Sequence, residues 1–279
     1  MLKTKIKNIF HPSDFTEGDE AAWIHALKIA LLIKGKLRLL HVSETEREIE
    51  WSEFPHVRAT LVKWGFLDDQ ASRDGCAKLG LDVSKITRKD HDPVKAITHF
   101  IKKHKQDLVV LSTHQRQGML RWFSESISEP IARTSQKMTL VVPRRVMGFV
   151  SYSTGEIRIR NVLIPIENSI SGTHAVNDII EIIQDLGCGN VKFTLLHVGS
   201  TTDFPTVDAP KDERWEFNYL MEKGNIVENI LTTADDINAD LIVMATHGGK
   251  EIWDSINGST TERVTRSTNC PVWIMSQVD

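Results

Sequence analysis

Asp107-Leu-Val-Val-Leu-Ser-Thr-His114 comes back as Asp240-Leu-Ile-Val-Met-Ala-Thr-His247, 133 residues further along the chain. The same offset carries Asp92 to Asn225, Ser126 to Ser259, Glu129 to Glu262 and Arg133 to Arg266. A constant displacement over so many positions marks an internal duplication, which sets the architecture before any single element is read. Nearer the start of each copy, Leu39-Leu-His-Val42 returns as Leu195-Leu-His-Val198 at an offset of 156, and Pro12 returns as Pro165 at 153. The offsets differ because the copies carry insertions between shared elements.

Around these anchors each copy alternates strands with helices. Val162–Ile166, Phe193–Val198, Leu241–Met244 and Val272–Met275 are short, continuous apolar runs, the pattern of parallel strands buried on both faces. Between them Val176, Ile179, Ile180 and Ile183, and again Val227, Ile230, Leu231 and Ala234, repeat at helical spacing. In the first copy Ala26, Ile29, Ala30 and Ile33 form such a stripe, with Gly35 placed to stop the helix. The expected fold is therefore α/β, as two tandem open, mostly parallel five-stranded sheets with helices on both faces, Rossmann-like. The boundary is expected in the turn-rich stretch 144–157, dividing the chain into residues 1–147 and 148–279. Phe149, Val150 and Tyr152 in that stretch predict a segment that packs rather than a loose linker.

The copies are unequal between their second and third strands. Residues 43–81 have room for a full helix carrying Trp51, Phe54, Val57, Leu61, Val62 and Leu67, whereas 199–214 is short and rich in Thr, Asp and Pro. The second copy is thus expected to lack one helix, leaving a sheet face near Phe193 and Phe217 that calls for cover from a protein partner.

Composition narrows the class of function. A length of 279 residues suits two cores of about 100–150 residues each. With 34 Lys and Arg against 37 Asp and Glu, the charge of -3 offers no general field for a polyanion, so nucleic acid is not an expected partner. Cys76, Cys188 and Cys270 are too scattered for a metal or redox pair. No apolar run reaches the roughly 20 residues that cross a bilayer, and no apolar leader follows Met1, so a cytoplasmic protein off the membrane is expected.

The residues that carry chemistry lie between the fourth strand and last helix of the second copy. Ala245-Thr-His247-Gly248 is followed, after Gly249 and eight further residues, by Gly258-Ser259. Small residues at the carboxyl ends of parallel strands let backbone amides approach phosphate oxygens, and a helix N-terminus adds unpaired N–H groups. This stretch resembles the universal stress protein family, whose nucleotide-binding members show G-x2-G-x9-G-[S/T] there. Pro165-Ile166-Glu167 (Pro12-Ser-Asp14 in the first copy) and the Leu-Leu-His-Val strand extend the resemblance over nearly the whole chain as two tandem copies.

The resemblance implies an adenine nucleotide alpha hydrolase-like fold binding ATP or another adenine nucleotide. Implied contacts are Pro165, Ile166, Glu167, Val198, Met244, Ala245, His247, Gly248, Gly249, Gly258, Ser259 and Thr260. It also implies pairing of the last strands across a two-fold, met here within the chain, with a homodimer beyond it. Two departures stand out: Ala245 replaces a glycine, and Glu167 the shorter aspartate usual in the family. In the first copy Ser112, Gln115 and Glu125 occupy the loop positions, and Glu125 puts a carboxylate where phosphates would rest, so no triphosphate is expected there.

Simpler roles compete for the same residues. Ser259-Thr-Thr-Glu262 is also a capping box, as is Ser126-Ile-Ser-Glu129. His41 and His197 fall inside strands and read as hydrogen-bonded core residues. The spacing of His91, His99 and His104 puts no two imidazoles at i, i+4, so no metal site is assigned. No nucleophile paired with a base, Walker lysine or nucleophile elbow is visible, so no catalytic residue is named and at most slow ATP hydrolysis is expected. The leading reading is a stress-response sensor or adaptor with an unidentified protein partner. The alternative is a dimerisation module of the same fold that binds no nucleotide.

Overall fold

The structure is a computed structural model that describes residues 6–276 except 16, 45–53, 71–73, 114–130, 132–136, 145, 168–169, 200–203, 206, 208–209, 211 and 247–258. In the first half β1 (Asn8–Pro12), β2 (Lys36–Ser43), β3 (Asp82–Lys89), β4 (Leu108–Thr113) and β5 (Met138–Pro143) alternate with α1 (Glu20–Ile33), α2 (Val57–Lys63), α3 (Gly75–Lys78) and α4 (Pro93–His104). The second half has β6 (Asn161–Pro165), α5 (Ile170–Asp185), β7 (Val191–Val198), β8 (Trp215–Glu222), α6 (Ile226–Asp236), β9 (Leu241–Thr246), α7 (Thr260–Ser267) and β10 (Val272–Ser276).

Each half is a five-stranded parallel sheet, and the two join as one ten-stranded sheet in the order β3-β2-β1-β4-β5-β10-β9-β6-β7-β8. The seam is the antiparallel pairing of β5 with β10, where Trp273 lies opposite Leu140 and Val272 opposite Val141. All four side chains are buried, so the two apolar strands that would be exposed edges in separate halves cover each other. One core on one face of the sheet runs continuously through both halves, whereas the opposite face carries two clusters, one within the first half and one in the second that reaches across the seam to Val141. This is the pairing of last strands within the chain that the resemblance implies, and it makes one continuous sheet of the two five-stranded halves.

Duplicated residues do duplicated structural work. The Asp107 carboxylate accepts from the Lys7 and Asn8 amides at 2.9 and 2.8 Å, and Asp240 accepts from those of Arg160 and Asn161 at 2.7 and 2.9 Å. Each aspartate thereby fixes the start of the first strand of its half to that of the fourth. Asp92 caps α4 by accepting from the Lys95 amide at 2.9 Å, and Asn225 caps α6 by accepting from Val227 at 3.0 Å.

Local expectations need correction at several points. Lys34, at φ 51°, makes the left-handed turn that ends α1. Gly35 follows because a Cβ there would lie 2.7 Å from the Lys7 carbonyl oxygen. Among the described residues of 43–81 the helices are two short ones, α2 and α3, where one full helix was expected. Phe54 and Leu67 lie outside both and still pack on the core, and Trp51 falls outside the described residues.

Among the described residues of 199–214 there is no helix, yet the Phe193 face is not bare. Phe193 is fully buried, stacked on Phe217 at 5.1 Å with Trp215 edge-on at 6.1 Å, and Phe204 and Val207 pack on the same core. The chain supplies this cover itself, contrary to the expected protein partner, because neighbouring aromatics on β8 substitute for helix area. What remains exposed lies further along β8, at Tyr219, Leu220 and Met221.

The segment between the halves is packed. Phe149 and Val150 are buried, and His25 of α1 holds both. Its Nδ1–H donates to the Ala21 carbonyl at 2.6 Å while Nε2 accepts from the Phe149 and Val150 amides at 3.0 and 3.2 Å. Complete burial pushes the His25 pKa down to about 4, so the ring is neutral and able to accept at Nε2. Gly148, at φ 67°, passes so close to that ring that a Cβ would sit 2.5 Å from it.

Candidate nucleotide crevice

In each half the strand order reverses between the first and fourth strands, the place where open α/β sheets bind ligands. Pairing across that point is brief. β6 meets β9 only at Val162–Leu241 and Leu163–Ile242, and β1 meets β4 only at Ile9–Leu108 and Phe10–Val109. Beyond these pairs the strands part and leave a crevice at their carboxyl ends.

The backbone at the rim is the same in both halves. The Ile166 amide donates to the Leu196 carbonyl at 2.8 Å, and the Ser13 amide to that of Leu40 at 2.9 Å. His197 Nδ1 donates to the Ile166 carbonyl at 3.0 Å, as His41 Nδ1 does to that of Ser13 at 2.8 Å. Both strand histidines thus hold the end of the first strand, which presents the following acidic residue, Glu167 or Asp14, to solvent.

The fillings differ. In the first half, the His11 Nδ1–H donates to the Val110 carbonyl at 2.9 Å across the gap, and its Nε2 lies 3.3 Å from Asp19 Oδ2. The Ser112 hydroxyl donates to Asp19 Oδ1 at 2.6 Å. Burial opposes charge on both partners, but the carboxylate raises the pKa of His11, and the imidazolium and hydroxyl hold Asp19 at about 2. Above this floor Arg144 pairs with Asp14 at 2.5 Å and lies against Gly18, where a Cβ would come 2.7 Å from Arg144 Cδ. Phe15, at a left-handed φ of 61°, stacks on His41 at 4.0 Å. A bulky residue adopts that conformation only when its surroundings impose it. Sequence reading assigned roles here to Asp14 and Ser112, but His11, Asp19 and Arg144 escaped it. Their signal was a polar residue inside an apolar strand, His11 where the other copy has Ile164.

In the second half the positions matching His11 and Ser112 are Ile164 and Ala245, and that matching Asp19 is Gly172. Ile164 and Met244 are buried, Ala245 and Val198 are half-buried at their strand ends, and Glu167 is exposed. Ser259 is buried and caps α7, accepting from the Glu262 amide at 3.1 Å, with Thr260 opening the helix. The reciprocal half of the capping box is not made, since the Glu262 carboxylate turns to Arg266 at 2.5 Å. Because α7 joins parallel strands β9 and β10, its N-terminus lies at the same edge of the sheet as Pro165, Ile166 and Ala245. His247, Gly248, Gly249 and Gly258 lie outside the described residues, as do the first-copy positions His114, Gln115, Glu125 and Ser126.

The family model described as the universal stress protein family matches residues 5–143 and 217–276. This chain belongs to that family. Among solved structures, a universal stress protein from Archaeoglobus fulgidus shares its fold at a TM-score of 0.63 and 18% identity, with 98% of each chain covered. A functionally unknown protein from Pseudomonas aeruginosa follows at 0.62 and 14% identity, covering 97% of this chain and 92% of that one. No curated protein matches the sequence. For this universal stress protein, no described helix is long and apolar enough to cross a membrane, and no described cluster of three His, Cys, Asp or Glu is set to hold a metal ion. The thiols Cys188 and Cys270 are raised by burial to about 11, which leaves them poor nucleophiles.

Proposed function

We propose that the second half, residues 148–279, binds ATP or a related adenine nucleotide in the crevice between β6 and β9, and that the first, residues 1–147, does not. On this reading the protein is a cytoplasmic stress-response sensor or adaptor whose conformation reports nucleotide. The observation that carries it is the contrast in filling: His11, Asp19, Ser112, Asp14 and Arg144 occupy the first crevice, while Ile164, Gly172 and Ala245 put no polar bridge across the second.

Pro165, Ile166 and Val198 would then bound the base, Glu167 would accept from ribose hydroxyls, and Met244, Ala245 and His247 would line the wall. Gly248, Gly249, Gly258, Ser259 and Thr260 would offer phosphates backbone amides and the N-terminal dipole of α7. Without a paired nucleophile and base, turnover would be slow or absent.

Titration calorimetry with ATP should give one site per chain, and Gly258→Glu, which copies Glu125 of the first copy, should abolish it. Binding retained in that variant, or a stoichiometry of two, would overturn the assignment.

A further inference from the structure

The duplicated helices α4 and α6 carry opposite charge at matched positions. At the constant offset of 133, Lys95 becomes Glu228, Lys102 becomes Asp235 and Lys103 becomes Asp236. These positions fall at i, i+7 and i+8, on one solvent stripe of each helix, and all six side chains are exposed. Residues 93–106 contain no carboxylate and residues 224–249 no cation. Among the described residues none of the six makes an ion pair. The helices gain nothing from half of these charges: Lys95 in the first turn of α4, and Asp235 and Asp236 in the last turn of α6, oppose the dipoles of their own helices. The contrast extends to the halves, with 25 Lys and Arg against 18 Asp and Glu in residues 1–147 and 9 against 19 in residues 148–279. Both helices lie on the same face of the sheet, since Ile97, Phe100 and Ile101 of α4 and Val227, Ile230 and Ala234 of α6 pack in the clusters opposite the continuous core.

We propose that this face is an interface between two copies of the chain, with α4 of each protomer laid against α6 of the other. The antiparallel seam of β5 and β10 makes the two helices run opposite ways within one chain. A copy turned over about an axis along the strands, its first half on the other's second, therefore makes the contact twice, with α4 antiparallel to α6 each time. Lys95 then meets Asp235 and Asp236, and Lys102 and Lys103 meet Glu228. The charges that oppose their own dipoles neutralise one another. Asp92 lies past the end of the opposing α6, and its carboxylate is engaged in capping α4. Such a contact is isologous and closes at two. A foreign polyanion would suit α4 but leave the acidic stripe of α6 without a role, whereas a second copy serves both. None of these residues is assigned to the crevice, so the contact stands whether or not nucleotide binds.

Sedimentation of the full chain tests this. Protomers should give way to a dimer and nothing larger as concentration rises, and added salt should weaken it because exposed charges are screened. The triple variant Lys95→Glu, Lys102→Glu, Lys103→Glu leaves both stripes acidic, and the triple variant Glu228→Lys, Asp235→Lys, Asp236→Lys leaves both basic. Each alone should associate at least about tenfold more weakly than the parent, with thermal melts checking that it folds. An equal mixture of the two should dimerise about as well as the parent, which a merely structural effect of the substitutions would not produce. Protomers alone at every concentration up to about 1 mM, growth past two, insensitivity to salt, or a mixture no better than its components would each overturn the proposal. So would full association of the α6 variant alone, which would assign α4 to an anionic partner of another kind.

Discussion

At the carboxyl end of β1 a buried imidazolium, a carboxylate and a hydroxyl bridge the gap between strands; at the end of β6, on the same backbone, stand an isoleucine, a glycine and an alanine. The rim hydrogen bonds agree to within about 0.2 Å, so the two crevices differ in side chains and not in framework. On the proposed reading, the first half has exchanged a binding site for a bridge of its own side chains. Charges brought into the first crevice are satisfied by one another, and a buried pair is tolerated when its partners are complete. The halves also differ at their second crossover, where α2 and α3 cover one sheet and aromatics cover the other.

The largest expected effect comes from breaking the first crevice. Asp19→Asn leaves His11 buried without its counter-charge and should cost about 3 kcal/mol or more in urea unfolding. The triple variant His11→Ile, Asp19→Gly, Ser112→Ala, which copies the second half, should recover most of that loss. A triple variant weaker than the single would show that the two frameworks are not equivalent after all.

A second test uses pH. Folding holds His25 neutral with its pKa at about 4, against 6.5 when unfolded, so the unfolded chain binds the extra proton between those values. Stability should therefore fall by about 3 kcal/mol as pH drops from 6.5 to 4, at 1.36 kcal/mol per unit. His25→Gln should flatten that slope. The His11–Asp19 pair acts differently. His11, with its pKa raised, contributes fully below 6.5 and loses its contribution as pH rises through the raised value. Asp19, lowered to about 2, contributes above 3.8 and loses its contribution as pH falls toward 2. The pair is complete across the window in which His25 weakens, so a slope that survives His25→Gln would point elsewhere.

Further substitutions sharpen the contrast between covers. Leu61→Ala removes a fully buried side chain of α2 and should cost about 2–5 kcal/mol, whereas Phe204→Ala, only half-buried against Tyr219, should cost about 1–2. Equal costs would mean that the loop substitutes for a helix completely. Ser259→Ala should cost about 1 kcal/mol through loss of the cap on α7. If the serine also meets phosphate, nucleotide affinity should fall by more than that stability loss explains.

Periodicity and repetition in the sequence determined the α/β class, the duplication, the strand runs and the faces of α1, α5 and α6, because burial against a sheet imposes spacings of local origin. They also located the rim, since Pro12 and Pro165 mark strand ends directly. Helix extent in residues 43–81 was not legible, because an apolar residue that packs from a loop, as Phe54 does, looks the same in sequence as one on a helix. The register of β5 on β10, the stitching of the first crevice by His11, Asp19 and Arg144, and the clamp of His25 on Phe149 and Val150 were decided only by tertiary structure. Each brings together groups about 100 or more residues apart, and no local spacing records which buried polar side chain will find which partner.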